Sequence, residues 1–180
     1  MHPNIVMITE GKQWLEPDHE QANCIVITSY ELLCNVATGL LQFDAIIYDE
    51  IHYLKNGRAI RSVAAHGLSS ANPDAIKLGL TATPIANDPV DLWSQLASLF
   101  QGRFGTFWKY ANRYCIVEQH QFGHDIYGCN PAYQQELVSR LGAISVRVTK
   151  ADVAHLLPPF TVSSIFVDGR KTEGFINGAD

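Results

Sequence analysis

Short apolar runs alternate with amphipathic segments along the first hundred residues of the chain. The apolar runs are rich in β-branched residues and end in polar turns, as buried strands do; they are residues 4–9, 24–29, 46–49 and 76–81. Between and after them, apolar side chains recur at helical spacing over residues 30–41, 58–68 and 89–100. Strands that alternate with helices pair in parallel, so this pattern predicts an α/β layered fold.

The last of these helices is predicted to begin behind a cap at Asn87-Asp88, with Pro89 in its first turn. After residue 100 the pattern changes, because residues 103–128 are dense in aromatic side chains and lack a clear period. We expect an irregular insert here, whose rings form a satellite core rather than a platform for stacking bases. Further elements are predicted as a helix over 131–141 and strands over 144–148 and 161–167.

Composition narrows the class of protein. The chain has 180 residues, of which 47% are hydrophobic and 17% charged, as in soluble globular proteins. Its formal net charge of −5 argues against a strongly basic nucleic-acid binder but leaves room for a local basic patch. No apolar run or signal peptide directs it to a membrane, and four scattered cysteines indicate reduced thiols. We expect a cytoplasmic or nucleoid-associated protein.

Polar clusters follow two of the predicted strands. Asp49-Glu50-Ile51-His52 ends the run at 46–49, and Thr81-Ala82-Thr83-Pro84 ends the run at 76–81. Ligands bind at the carboxyl edge of an open α/β sheet, and adjacent carboxylates there suit a divalent cation and an activated water. We therefore expect residues 46–49 and 77–81 to lie on neighbouring strands.

Five sets of segments with motif-like character follow one another along the chain. They are Ile27-Thr28-Ser29-Tyr30-Glu31, Asp49-Glu50-Ile51-His52-Tyr53-Leu54-Lys55-Asn56, Leu80-Thr81-Ala82-Thr83-Pro84-Ile85-Ala86-Asn87 with Asp91-Leu92-Trp93, Tyr114-Cys115 with Phe122-Gly123-His124-Asp125-Ile126-Tyr127-Gly128, and Arg147-Val148-Thr149-Lys150-Ala151-Asp152-Val153 with Leu157-Pro158-Pro159. In this order they resemble the motifs of the Swi/Snf-type branch of superfamily 2 helicase-like ATPases. The fourth set is similar to the insert of the annealing-helicase-like members.

This resemblance implies a partial RecA-like lobe of the P-loop NTPase type, three-layered, with a mainly parallel sheet. It also implies ATP hydrolysis coupled to movement along double-stranded DNA. Asp49 would hold Mg²⁺ through water, and Glu50 would orient and deprotonate the water that attacks the γ-phosphate. His52 would connect the nucleotide site to Thr81 and Thr83.

The same resemblance assigns a DNA-contacting role to residues near these motifs. Thr28 and Ser29 would donate hydrogen bonds to phosphates of double-stranded DNA, which position the duplex without reading its sequence. Lys55, Arg58 and Arg61 would add positive charge along the same path. Two plainer interpretations stay open. Thr28 and Ser29 cap the following helix, and the three cations are solvent-exposed side chains at the beginning of a helix.

One motif of the family has no counterpart in the sequence. The ATP site needs a Gly-x-x-x-x-Gly-Lys-[Ser/Thr] loop to hold the phosphates, but the single Gly-Lys pair, Gly11-Lys12, is followed by Gln13. We expect ATP and Mg²⁺ to bind poorly to this chain alone. A partner chain or neighbouring polypeptide would supply the loop strand and the second lobe. The strand ending at Thr81 would then have an unpaired edge.

We divide the chain into a lobe at residues 1–100, an insert and exit segment at 101–160, and a terminal strand with a mobile tail at 161–180. Two alternatives to a motor fragment remain. The first is a non-enzymatic module that binds DNA or protein through the lobe surface. The second is a small zinc-binding module that uses the Cys-x4-His-x3-His-x4-Cys spacing of Cys115, His120, His124 and Cys129.

Overall fold

The computed structural model describes residues 24–35, 42–85, 88–153 and 155, and the backbone of residues 4–7. In chain order the elements are β1 (Asn4–Met7), β2 (Cys24–Ile27), α1 (Tyr30–Leu33), β3 (Ala45–Tyr48), a 3₁₀ helix (Ile51–Leu54), α2 (Ile60–Ala71), β4 (Ile76–Gly79), α3 (Asp91–Leu99), α4 (Phe107–Tyr114), β5 (Cys115–His120), β6 (Gly123–Cys129) and α5 (Gln134–Gly142). No helix in this part of the chain is long and apolar enough to cross a membrane.

Strands β3 and β4 pair in parallel, with Ile46 opposite Lys77 and Tyr48 opposite Gly79. The prediction that these two runs lie on neighbouring strands is therefore confirmed. The pairing continues past the strand ends, because the Leu80 amide donates to the Tyr48 carbonyl at 2.9 Å. Strands β1 and β2 form a second parallel pair, so α/β alternation with parallel pairing is also confirmed.

The main core lies on one side of β3, where this strand contacts the 3₁₀ helix and α2. Its buried residues are Leu33, Ile46, Tyr48, Ile51, Leu54, Ala65 and Leu68. The Tyr48 hydroxyl is buried here and lies 3.0 Å from the Ala65 carbonyl and 2.7 Å from Ser69 Oγ. Burial raises the pKa of Tyr48, so its phenol stays protonated and satisfies these partners.

Helix α3 begins later than predicted and without the predicted side-chain cap. Its N-cap is Val90, which makes no side-chain capping bond. Asp88 Oδ1 instead accepts a hydrogen bond of 2.7 Å from the Gly128 amide in the β5–β6 hairpin. The capping prediction was wrong for Asp88 because a tertiary partner uses the carboxylate that a local cap would have needed; Asn87 lies outside the described residues.

The insert is more regular than predicted. Helix α4 is capped by Thr106, whose Oγ1 accepts from the Lys109 amide, and β5 and β6 form an antiparallel hairpin. Phe104, Tyr110 and Tyr114 are buried, which agrees with a satellite core, whereas Phe122 at the hairpin turn is 96% exposed. The expectation of an irregular segment was wrong, because aromatic density obscured the helical and alternating periods.

The chain divides into two compact units, residues 1–141 and residues 142–180. The insert belongs to the first unit because α4 packs against α3: Trp93 and Phe107 meet edge to face with ring centroids 5.4 Å apart. Residues 144–148, predicted as a strand, are not a strand in the structure. The strand predicted over 161–167 lies outside the described residues.

Candidate functional site

Two carboxylates, Asp49 and Glu50, follow β3 at its carboxyl end, and both are exposed. Glu50 has φ 47° and is the one non-glycine residue with positive φ in the part of the chain that the structure describes. Such a conformation costs about 1–3 kcal/mol and persists only where surrounding contacts hold it. Two contacts do so here: the Glu50 amide donates to Asp49 Oδ1 at 3.0 Å, and the Ile51 amide donates to the Leu80 carbonyl at 2.9 Å.

His52 connects the two polar clusters. Its Nδ1 lies 3.0 Å from Glu50 Oε2 and 3.0 Å from Thr81 Oγ1. Because a carboxylate oxygen accepts hydrogen bonds, we assign a proton to Nδ1, which then donates to this pair. Thr81 Oγ1 also accepts from the Thr83 amide at 3.1 Å. The structure thus brings Glu50, His52, Thr81 and Thr83 into one hydrogen-bonded chain.

Tyr30 belongs to this site although sequence reasoning did not select it. Its hydroxyl donates to the Asp49 carbonyl at 2.8 Å, and its ring stacks on that of Tyr48. Burial, followed by the neighbouring Tyr48 and Asp49, raises the pKa of Tyr30, so the phenol remains a donor. A large aromatic residue directly after the strand-end Thr28-Ser29 was the available signal.

Gln95 on α3 was also missed. It is buried among the apolar residues of that helix, and its Nε2 donates to the Pro84 carbonyl at 2.8 Å. This bond fixes the segment that follows Thr83. The signal in the sequence was a glutamine placed directly before Leu96 on the apolar side of a predicted helix.

We expect Gly79→Ala to destabilise the protein by about 0.5–1.5 kcal/mol, because neighbouring side chains must leave their preferred rotamers to make room. A Cβ at this position would lie 2.9 Å from Ile51 Cδ1 and 3.0 Å from Leu99 Cδ1. Urea denaturation measures the effect. Gly123→Ala is the matched control, because its Cβ would meet nothing within 4 Å; equal stability losses in the two variants would contradict the tight packing of β4 under the site.

The predicted DNA-contacting residues lie at exposed positions on two segments. Ser29 Oγ accepts from the Leu32 amide at 3.2 Å, so the capping interpretation is confirmed for Ser29, and Thr28 is exposed beside it. Lys55 and Arg58 are exposed after the 3₁₀ helix. Nothing in these contacts prevents Thr28, Lys55 and Arg58 from meeting a ligand.

Arg61 differs from these cations because its side chain is already used within the fold. Its Nε donates to the Tyr53 carbonyl at 2.8 Å, and its guanidinium lies over the Tyr53 ring at 5.8 Å from the centroid. Arg61 therefore fixes the segment that bears His52, and we give it no separate ligand role.

The four residues of the zinc alternative do not converge. Cys115 pairs with Cys129 at one end of the hairpin, whereas His120 and His124 flank the turn at the other end, roughly 17 Å away at about 3.4 Å per residue. His120 instead pairs with Asp125 at 3.0 Å. Burial raises the pKa of Cys115 to about 11, which disfavours the thiolate that zinc requires. No cluster of three His, Cys, Asp or Glu suited to a metal occurs among the described residues, so the zinc interpretation is wrong.

Comparison with known proteins identifies relatives of this chain. Mouse DNA annealing helicase and endonuclease ZRANB3 is 34% identical over 143 residues, which are 75% of this chain and 13% of the mouse protein. The SWI/SNF-related matrix-associated actin-dependent regulator of chromatin subfamily A-like protein 1 homolog of Caenorhabditis elegans is 31% identical over 156 residues, 85% of this chain and 22% of that protein. The chain thus spans a small part of these relatives.

A solved structure shows the same fold. The SWI2/SNF2 ATPase core of Sulfolobus solfataricus, solved in complex with double-stranded DNA, matches with a TM-score of 0.59 at 21% identity, over 85% of this chain and 30% of that one. The model of the SNF2-related domain matches residues 3–174. The chain therefore belongs to the SNF2-related domain family, with the RecA-like α/β fold that its motifs implied.

Proposed function

We propose that the chain supplies the water-activating and coupling part of an ATP-driven motor that acts on double-stranded DNA. The observation that carries this proposal is the position of His52 Nδ1, 3.0 Å from both Glu50 Oε2 and Thr81 Oγ1. Two features of similar proteins support it: one relative is a DNA annealing helicase and endonuclease, and the related ATPase core was solved with double-stranded DNA.

Glu50 is the general base in this proposal. Its carboxylate is exposed at the sheet edge, and the His52 Nδ1–H holds one of its oxygens in place. The left-handed backbone angles of Glu50 end the extended course of β3 at this residue. A carboxylate so placed orients a water for in-line attack on a phosphoryl group and takes its proton.

Asp49 suits a hydrated Mg²⁺ ion. It is exposed, and its Oδ1 accepts the Glu50 amide, which leaves the second oxygen for water bound to a cation. The ion, when bound with ATP, neutralises charge on the phosphates. Asp49 is itself positioned by Tyr30, whose hydroxyl donates to its carbonyl.

The coupling step runs from Glu50 through His52 to Thr81 and then to the Thr83 amide. A γ-phosphate that changes the hydrogen bonds of Glu50 also changes the strength of the bond from His52 Nδ1 to Glu50. The bond that His52 Nδ1 shares with Thr81 changes with it, and therefore so does the position of Thr81. Gln95 holds the following Pro84 carbonyl to α3, so the signal passes to a fixed element. Thr28, Lys55 and Arg58 are the DNA-contacting residues of this proposal.

In this proposal the loop that binds the triphosphate comes from a segment other than these 180 residues, of the same or another polypeptide. Three side chains of β4 and its continuation, Ile76, Leu78 and Leu80, are each at least half exposed. Within the described residues β4 pairs only with β3. An exposed apolar strand with an open edge is a site for further pairing, which favours attachment of the loop-bearing strand there.

The test compares this chain alone with a chimera in which its residues replace the matched 143-residue region of the mouse relative. We expect the chimera to hydrolyse ATP faster when duplex DNA is added, and the isolated chain to show no such turnover. DNA-stimulated hydrolysis by the isolated chain would overturn the proposal that another segment supplies the triphosphate-binding loop. A folded chimera that binds ATP and DNA but never hydrolyses ATP would overturn the proposed function.

A further inference from the structure

A second feature of the first unit is a cleft of about 570 Å³ lined by residues of α4, of α5 and of the segment before α4. The charged side chains that line it are Arg103, Lys109, Arg113, Glu136 and Arg140. Four cations thus face one carboxylate, which gives the cleft a local charge of +3. The whole chain has a formal net charge of −5, so this concentration of positive charge is not a property of the chain as a whole.

The one carboxylate that lines the cleft, Glu136, already accepts hydrogen bonds from neighbouring side chains. Arg113 Nε and Nη2 donate to the two oxygens of Glu136 at 3.0 and 2.5 Å, and the Tyr114 hydroxyl donates to Oε1 at 2.7 Å. The bonds from Arg113, and then the one from Tyr114, lower the pKa of Glu136 to about 2. Glu136 is therefore ionised at neutral pH. It pairs with Arg113 at 2.5 Å and more distantly with Arg140 at 3.9 Å, and with neither Arg103 nor Lys109.

Two of the guanidinium groups are held in place by aromatic rings. Arg113 Cζ lies 4.4 Å from the Tyr133 ring centroid, and Arg140 Cζ lies 4.5 Å from that of Phe104. Arg140 also donates to the Tyr114 hydroxyl at 2.7 Å. Cations fixed in this way lose less side-chain entropy when they meet a ligand.

The remaining cations, Arg103 and Lys109, have no compensating acid. Both are exposed, and neither forms an ion pair with any residue that the structure describes. Their positive charge, added to the fixed Arg140, suits an anion with several oxygens. Guanidinium donors match phosphate oxygens well, and an ammonium adds a mobile point charge.

We propose that this cleft binds the phosphate backbone of double-stranded DNA, as a contact additional to Thr28, Lys55 and Arg58. This inference rests on the proposed function, because a motor that moves along a duplex needs contacts that position it without reading bases. Arg103 and Lys109 make the contact, while Arg113 and Arg140 form the fixed wall behind them.

The test measures binding of a fluorescent 20-base-pair duplex to the 180-residue chain by anisotropy, between 50 and 200 mM NaCl. Each phosphate contact contributes about 0.9 to the slope of log affinity against log salt. We expect the double variant Arg103→Gln, Lys109→Gln to lose about 2 from this slope, so that the wild type loses about tenfold more affinity over the range. Arg147→Gln, Lys150→Gln is the matched control: it removes the same charge from exposed positions and should keep the wild-type slope.

Three outcomes overturn the inference. One is an unchanged salt slope in the Arg103 and Lys109 variant, together with weaker binding in the double variant Lys55→Gln, Arg58→Gln. This result would leave the proposed function unaffected. Another is the finding that Arg103 and Lys109 bind ATP or oligoglutamate but do not bind the duplex. The third is a wild-type chain that fails to bind the duplex. Failure of the proposed function itself has a separate readout, the absence of DNA-stimulated hydrolysis in the chimera.

Discussion

Glu50→Gln is expected to lower DNA-stimulated ATP hydrolysis by the chimera about 10²–10⁴-fold, the range that general-base catalysis contributes. The amide cannot take a proton from the attacking water, yet it has the size of the carboxylate and keeps an oxygen that can accept from His52 Nδ1. Affinity for nucleotide and for duplex DNA should stay close to that of the unmodified chimera, because neither depends on proton transfer. Steady-state hydrolysis and equilibrium binding, measured on the same preparation, separate the two effects.

The control for this variant is Asp74→Asn, which makes the same carboxylate-to-amide change at an exposed turn between α2 and β4. Its hydrolysis rate should match that of the unmodified chimera. If Glu50→Gln kept the full rate, Glu50 would not be the base, and the strained backbone at this position would need another explanation. If both variants lost activity equally, the effect would be one of net charge.

Leu54→Ala is expected to lower the free energy of unfolding by about 2–5 kcal/mol, as for other large-to-small changes in a core. Leu54 is fully buried at the end of the 3₁₀ helix that carries His52, and it belongs to the main core cluster. The Ser62 hydroxyl donates to its carbonyl at 3.2 Å, so the surrounding structure is held and cannot collapse freely into the space. The loss is a large fraction of the stability of an ordinary domain.

Urea denaturation of the isolated chain measures this loss, and Ile60→Ala provides the comparison. Ile60 is 76% exposed, so removal of its side chain leaves no cavity and should change stability by less than about 0.5 kcal/mol. Similar losses in both variants would contradict the placement of the core between β3 and α2.

The strand-end site was predictable because the information for it is local. Each apolar run is short and ends in its own polar cluster, and parallel pairing brings two such ends to one edge, so Asp49, Glu50, His52 and Thr81 needed only the right strand order. The parallel pairing of β3 with β4 follows the prediction. The strand boundaries shifted by one or two residues, because polar residues at strand ends leave the ladder to form the site.

Other features depend on packing between distant segments, which no local pattern reveals. Asp88 has the sequence context of a helix cap, but its carboxylate binds the amide of Gly128, forty residues later. Arg103 and Arg140, far apart in the sequence, line the same cationic cleft with residues of α4 and α5. Spacing between Cys115 and Cys129 matched a zinc pattern only because sequence distance does not show that a hairpin turn separates the histidines from the cysteines.

The central claim is that Thr81 receives, through His52, the state of the catalytic carboxylate and passes it to the DNA-bound side. Thr81→Val in the chimera tests it most directly, because valine keeps the shape of threonine and removes the Oγ1 that bonds His52 and the Thr83 amide. The measurement is the ratio of ATP hydrolysis with duplex DNA to hydrolysis without it. We predict that this ratio falls to near one while hydrolysis without DNA persists; a variant that DNA stimulates as strongly as the unmodified chimera would contradict the account.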